Sequence, residues 1–306
     1  MNKKYLIKFI IGLSILLIFL YRLGFQNIVN ILRQTNLIIY SIVFFCLIFI
    51  EILASLNYSI LIKSINKQIP FIIIFRLHTL SQSIGKMTPG KIGELSILKF
   101  FNNYGITYKE SIAILIIDKI ISLLILLLSA TIGSIFLFNS FYLLLFLFLF
   151  FFFLIALYIV FKPHLTQQKL FSKFFILISL IVRIIKSNIK NISINFLLTI
   201  TKWFIYFGAV YLLFIGYDTH VVFHKIAFTV AITKIITFIP ISPGGLGIEE
   251  VSASYLINLV ASANMIITAN VFLLLRFLTI IIAIIMYIIN FSLLDNTKQQ
   301  RNVWQN

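Results

Sequence analysis

Acidic residues are scarce in this chain: 8 Asp and Glu stand against 25 Lys and Arg in 306 residues, and charged residues of all kinds make up only 11%. Soluble globular proteins carry about 25%, so a hydrophobic fraction of 61% marks an integral membrane protein. Cysteine is nearly absent. The single Cys46 excludes a disulfide framework and, within a long apolar run, reads as a small buried apolar residue. No stretch has the Gly-rich spacing and strand of a Walker or dinucleotide site, which excludes ATP-driven pumping by this chain alone. No Ser-His-Asp or Cys-His grouping supports catalysis, so the chain reads as no enzyme, and nothing in it calls for a cofactor. The net charge of +17 does not point to nucleic acid, because the basic residues are spread along the edges of apolar runs and are not gathered into one reading face.

The apolar runs define an all-α transmembrane bundle. Runs of roughly 20 apolar residues suffice to span a bilayer, and six are present: Tyr5 to Leu23, Leu37 to Ile62, Ser111 to Phe138, Phe141 to Phe161, Ile194 to Gly216 and Thr268 to Leu294. The first is too long for a removable signal peptide and lacks its cleavage site. Lys3 and Lys4 precede it and Lys8 lies at its start, Lys63 and Lys67 follow the second run, and six cations from Lys162 to Lys190 share a segment with no acidic residue. The connections at Phe138 to Ser140 and Tyr217 to His224 carry no Lys or Arg. Positive loops remain in the cytoplasm, which predicts cytoplasmic N and C termini in a multi-pass protein of the cell membrane.

Glycine and proline are also few, and they are concentrated. Of 12 glycines and 5 prolines, five glycines and two prolines fall in two short motifs half a chain apart, Thr88-Pro89-Gly90-Lys91-Ile92-Gly93-Glu94 and Ser242-Pro243-Gly244-Gly245-Leu246-Gly247-Ile248-Glu249-Glu250. The flanks of the first, Phe71 to Ser83 and Leu95 to Phe101, are too short to cross about 30 Å of hydrocarbon. They predict a re-entrant pair of half-helices meeting at Pro89 and Gly90. The second motif predicts a hairpin entering from the opposite side, an inverted-repeat-like arrangement that in transporters marks the binding site. The organisation expected is one membrane domain over 1–306: a first half 1–161 with motif 88–94, a basic amphipathic segment 162–192 on the cytoplasmic surface, a second half 193–294 with motif 242–250, and a cytoplasmic tail 295–306.

Irregular backbone at membrane depth is tolerated only inside protein or around a wet cavity. Helix N-termini after Gly93 and Gly247 would aim free N–H groups into that cavity, a setting suited to phosphate. Glu94, Glu249 and Glu250 cost about 2.5 to 3.5 kcal/mol each at such depth and require partners, for which Lys119 and Arg276, each about 25 residues beyond a motif, are the candidates. Two readings stand for Glu94 and Glu250: carboxylates of a translocation path, or caps of the adjoining helices. Asp118 cannot share a helical face with Lys119. Glu51 is either a further site carboxylate or the partner of a base the sequence does not identify. Lys234 is positioned to meet a phosphate from the second half-helix, and Lys91 either snorkels to the surface or binds ligand. His220 and His224 have a metal-binding spacing but read better as a solvated loop, and no metal site is expected.

Pro89-Gly90-Lys91-Ile92-Gly93-Glu94, the acid-base pair Asp118-Lys119, Pro240 with Ser242-Pro243-Gly244-Gly245-Leu246-Gly247 and Glu250, and Arg276 together resemble the lysylphosphatidylglycerol synthase transmembrane-domain family of flippase-like membrane proteins. The resemblance extends over most of the chain. It implies a lipid translocation unit that moves an aminoacylated phospholipid or stands beside a glycosyltransferase using isoprenoid-linked sugars. An arginine that often follows Gly-Glu in the first motif is absent, the nearest base being Lys99, and Asp118-Lys119 replaces a Glu-Arg pair. Lys lacks Arg's bidentate hold on phosphate, which implies a different headgroup. No soluble aminoacyl-transfer domain is found in the sequence, so synthase activity is not expected.

The function expected is transbilayer movement of an anionic phospholipid or polyprenyl-phosphate-linked lipid. A non-catalytic subunit that recruits a glycosyltransferase, and an intramembrane transferase acting on a lipid phosphate, are the alternatives.

Overall fold

A computed structural model describes Tyr21 and residues 36–88, 93–135, 140–161, 172–237, 242 and 245–290. The first expected span, the cytoplasmic tail, Pro89, Gly90, Lys91, Pro240, Pro243 and Gly244 lie outside the described residues. Ten helices follow in order: α1 Leu37–Lys63, α2 Phe71–Met87, α3 Ser96–Asn103, α4 Tyr108–Ile135, α5 Ser140–Phe161, α6 Ser172–Ser187, α7 Ile189–Gly216, α8 Phe223–Thr237, α9 Ile248–Ala261 and α10 Met265–Asn290. No strand occurs among the described residues. The protein is an all-α, multi-pass membrane bundle, and α1, α4, α7 and α10 are long and apolar enough to cross a bilayer.

Local chemistry sets the boundaries. Asn36 opens α1 by accepting the Ile38 N–H at 2.9 Å. Its end is marked by Asn66 at φ 58°, and Pro70 supplies the N-cap of α2. Helix α4 starts at Tyr108, three residues before the expected Ser111, because Thr107 and Glu110 form a reciprocal capping box: Glu110 Oε2 accepts the Thr107 N–H at 2.8 Å and Thr107 Oγ1 accepts the Glu110 N–H at 3.3 Å. Ser83 does not stop α2. Its hydroxyl donates back to the Thr79 carbonyl at 2.7 Å, and the helix continues to Met87. Helix α7 begins five residues earlier than expected, where Asn188 joins it to α6 and donates to the Ser64 carbonyl at 2.9 Å.

The motif flanks remain short: α2, α3, α8 and α9 have 17, 8, 15 and 14 residues, fewer than the roughly 20 a span needs. Helix α6 is amphipathic. Ile178, Ile181 and Ile184 are buried while Arg183 and Lys186 are exposed, and the helix packs on α4 and α7. Helix α5 packs on α4 and keeps Leu144, Phe148, Phe151, Phe152 and Ile155 exposed, a surface suited to lipid.

The long helices meet through a reciprocal set of contacts. Helix α1 lies along α7; α2 packs on α10 and α8 on α4; α3 packs on α4 and α9 on α10. Exchanging the four helices α1–α4 for α7–α10 in order leaves these pairings unchanged. Two hydrophobic cores result. One gathers Tyr58, Leu61, Ile74, Leu77, Phe101 and Ile114; the other gathers Val43, Leu126, Phe214, Phe228, Ile257 and Phe272. Trp203 of α7 packs against both.

Candidate functional site

Charges collect on the long helices. Each of the four long apolar helices carries an ionisable residue within about three positions of its midpoint: Glu51 in α1, Lys119 in α4, Lys202 in α7 and Arg276 in α10. Midpoints lie deepest in the bilayer, where a charge is costly unless it faces the bundle interior and finds partners.

The first motif is shaped by close backbone approach. Gly93 N–H donates to Thr88 Oγ1 at 2.7 Å, and the Ser81 hydroxyl donates to the Glu94 carbonyl at 2.6 Å. A Cβ on Gly93 would stand 2.5 Å from the Ile84 carbonyl oxygen, and one on Gly85 would stand 2.5 Å from Glu94 Cγ, so glycine lets the turn before α3 lie on the end of α2. The turn delivers Glu94 to α4, where Lys119 Nζ is 3.4 Å from Glu94 Oε2. The Lys119 side chain remains 47% exposed.

The second motif uses positive φ. Gly245 and Gly247 adopt φ 76° and 77°, a region costly for residues with a Cβ, and Gly247 caps α9. Glu250 takes up the capping role, one of the two readings the sequence leaves open, and also pairs with Arg276. It accepts the Gly247 N–H at 2.8 Å as a helix cap, and its other oxygen pairs with Arg276 Nε. Arg276 Nη2 also lies 3.5 Å from Glu249, whose second oxygen meets Lys234 Nζ at 2.5 Å and accepts the Tyr206 hydroxyl at 3.3 Å. Lys234 sits 4.5 Å from the centroid of the Tyr206 ring, a cation–π distance. Glu250 is fully buried.

A third cluster answers the question of Glu51. Its carboxylate lies 3.3 Å from Lys86 Nζ and 3.8 Å from His78 Nδ1. Ser55 Oγ is 3.1 Å from the same ring nitrogen, and Lys86 also reaches the Thr279 carbonyl of α10 at 3.5 Å. Sequence reading missed Lys86, His78 and Lys202. The signal that could have found His78 and Lys202 was the one applied to Glu51, a polar residue placed inside an apolar helix; Lys86 stands in the last turn of α2 and gives no such signal.

The structure therefore brings Glu94 to Lys119 and joins Glu249, Glu250, Lys234 and Arg276 in one network. His220 lies exposed in the connection before α8 and His224 in the first turn of that helix, and no three potential metal ligands gather among the described residues.

A family model, the lysylphosphatidylglycerol synthase TM region, matches residues 5–286. The chain belongs to that family. The match covers both motifs, the helices as far as Met286 of α10 and every member of the charged belt. No curated protein and no solved structure matches the chain.

Proposed function

We propose that the protein moves an anionic lipid, a phospholipid or a polyprenyl-phosphate-linked lipid, between leaflets of the cell membrane. The observation that carries this reading is the belt of charge at the midpoints of the four spans, closed by pairs that join each motif to a long helix. Ion pairs at membrane depth fix a headgroup path while the lipid tails remain in the bilayer. In this reading the two motifs enter as re-entrant hairpins, the free N–H groups after Gly93 and Gly247 face the path, and the pairs of Glu94 and Glu250 open and close its ends. The exchange-symmetric helix contacts support an inverted repeat, in which one packing arrangement converts to its mirror by exchanging the roles of the halves. Loop charge supports cytoplasmic termini.

The test is reconstitution in liposomes with fluorescent phosphatidylglycerol and a short-chain polyprenyl phosphate, comparing the parent with Glu94→Gln and Arg276→Ala. Transbilayer movement lost in both variants supports a translocase and identifies its headgroup class. A folded protein that moves neither lipid overturns the reading in favour of a subunit that positions a glycosyltransferase.

A further inference from the structure

The cations expected to hold phosphate are already occupied. Lys119 faces Glu94, Lys234 faces Glu249, Arg276 faces Glu250 and Glu249, and the unexpected Lys86 faces Glu51. Among the described residues, one mid-span cation has no carboxylate within ion-pair reach: Lys202, at the centre of α7. Its ammonium lies 6.0 Å from the centroid of the neighbouring Trp203 ring. Trp203 Nε1 is buried and donates to no acceptor. Two donors thus stand on successive residues at membrane depth, the ammonium without an ion-pair carboxylate and the indole N–H without an acceptor, an expensive arrangement for both groups.

The surroundings specify what would complete it. Trp203 packs against both hydrophobic cores, and its ring meets the Tyr206 ring edge-on at 5.8 Å, one side chain away from Glu249. The charges acting on Lys202 through space are Asp118, Lys119 and Glu51. Glu51 and Lys119 are engaged by their own partners. Asp118 of α4 is buried and, among the described residues, also lacks an ion-pair partner, yet it stays out of reach of Lys202.

We propose that Lys202 Nζ and Trp203 Nε1 form an oxyanion site that takes the phosphate of a lipid headgroup midway through the membrane. The site rests on the translocation reading above and names the residue that holds the phosphate on that path. A phosphate oxygen accepts from both donors and brings a negative charge within ion-pair reach of the ammonium, which Asp118 does not, with Lys acting as a point charge. Asp118, facing from the adjacent helix, opposes a second negative group and keeps the hold weak enough for release.

The chain has two tryptophans, so Trp304→Phe leaves Trp203 as the sole tryptophan, placed at the proposed site. That variant, in detergent micelles, is titrated with dioleoyl phosphatidylglycerol, with dioleoylglycerol (the same tails without phosphate) and with glycerol 3-phosphate (the head without tails). The expected result is a saturable change in Trp203 emission with phosphatidylglycerol and none with dioleoylglycerol. Lys202→Gln weakens it by about tenfold or more, as loss of one charged hydrogen bond requires, and Lys202→Arg retains it. Glycerol 3-phosphate binding as tightly as the lipid keeps the oxyanion site and overturns the lipid as its source. An equal response to dioleoylglycerol, no saturable response, or unchanged affinity in a folded Lys202→Gln protein overturns the site. Liposome translocation separates the two readings: movement by the parent that Lys202→Gln leaves intact removes this site alone, whereas Lys202-dependent binding without movement removes translocation alone.

Discussion

The two motifs join a carboxylate to a cation in opposite ways. The first joins Glu94 to Lys119, with the lysine nearly half exposed. The second buries Glu250 fully and surrounds it with Gly247 N–H, Arg276, Glu249, Lys234 and Tyr206. One pair is thus screened and can separate at small cost; the other forms part of a network whose members satisfy one another. On the translocation reading proposed above, a device that opens one end of a path while the other stays closed needs such inequality in at least one of its states. In the structure a network holds the second motif, and the first is held more loosely.

The largest effect is expected at Arg276. Replacing it with Ala leaves Glu250 buried without its cation, a loss of about 3 to 5 kcal/mol, read as a lowered midpoint of thermal unfolding in detergent. The double variant Glu250→Gln with Arg276→Gln should recover most of that stability without recovering translocation, since no charge is then stranded. A single Arg276→Ala variant as stable as the parent would remove the contrast between the motifs. Gly93→Ala is next. Its Cβ would meet the Ile84 carbonyl oxygen at 2.5 Å, and backbone cannot rotate aside as a flexible side chain can. A cost of about 1 to 3 kcal/mol is expected, together with a weaker Glu94–Lys119 contact, because the same turn carries Glu94. Unchanged stability and translocation in Gly93→Ala would show that the close approach is dispensable.

Much of this arrangement is legible in the amino-acid sequence, and the reasons differ by element. The long spans α1, α4, α7 and α10 follow from apolar length alone, because hydrocarbon leaves the backbone no option but a helix. The motifs follow from the clustering of Gly and Pro. Boundaries are less legible: the start of α4 depends on the reciprocal bonds of Thr107 and Glu110, and α2 runs past Ser83 because the hydroxyl bonds within its own helix. The partner of Glu51 is hidden because Lys86 lies 35 residues away on a half-helix, and no spacing rule links residues that meet only through packing of α1 on α2. Lys202 is visible in principle, as a lone cation inside an apolar run. It belongs to neither motif, however, and the repeat points instead to cations that the structure finds already paired.

Tyr206→Phe sharpens the comparison from the second motif. It removes the hydroxyl bond to Glu249 but keeps the ring under Lys234, so a loss of about 1 kcal/mol is expected in the same unfolding measurement, well short of Arg276→Ala because Glu249 retains Lys234 and Arg276.

The smallest stability effect should be at Lys119. A cation that is nearly half exposed is screened in both states, and Lys119→Gln should cost less than about 1 kcal/mol, again read from thermal unfolding in detergent. Glu94 is only 15% exposed, yet the backbone around it is held by the Ser81 and Thr88 hydroxyls, which remain in the variant. The fold should therefore survive while translocation slows, since on the proposed reading the lost pair closes that end of the path. A Lys119→Gln protein destabilised as much as Arg276→Ala would mean that the two motifs bear load equally, and the first would then have to be regarded as a second lock and not as the end that opens.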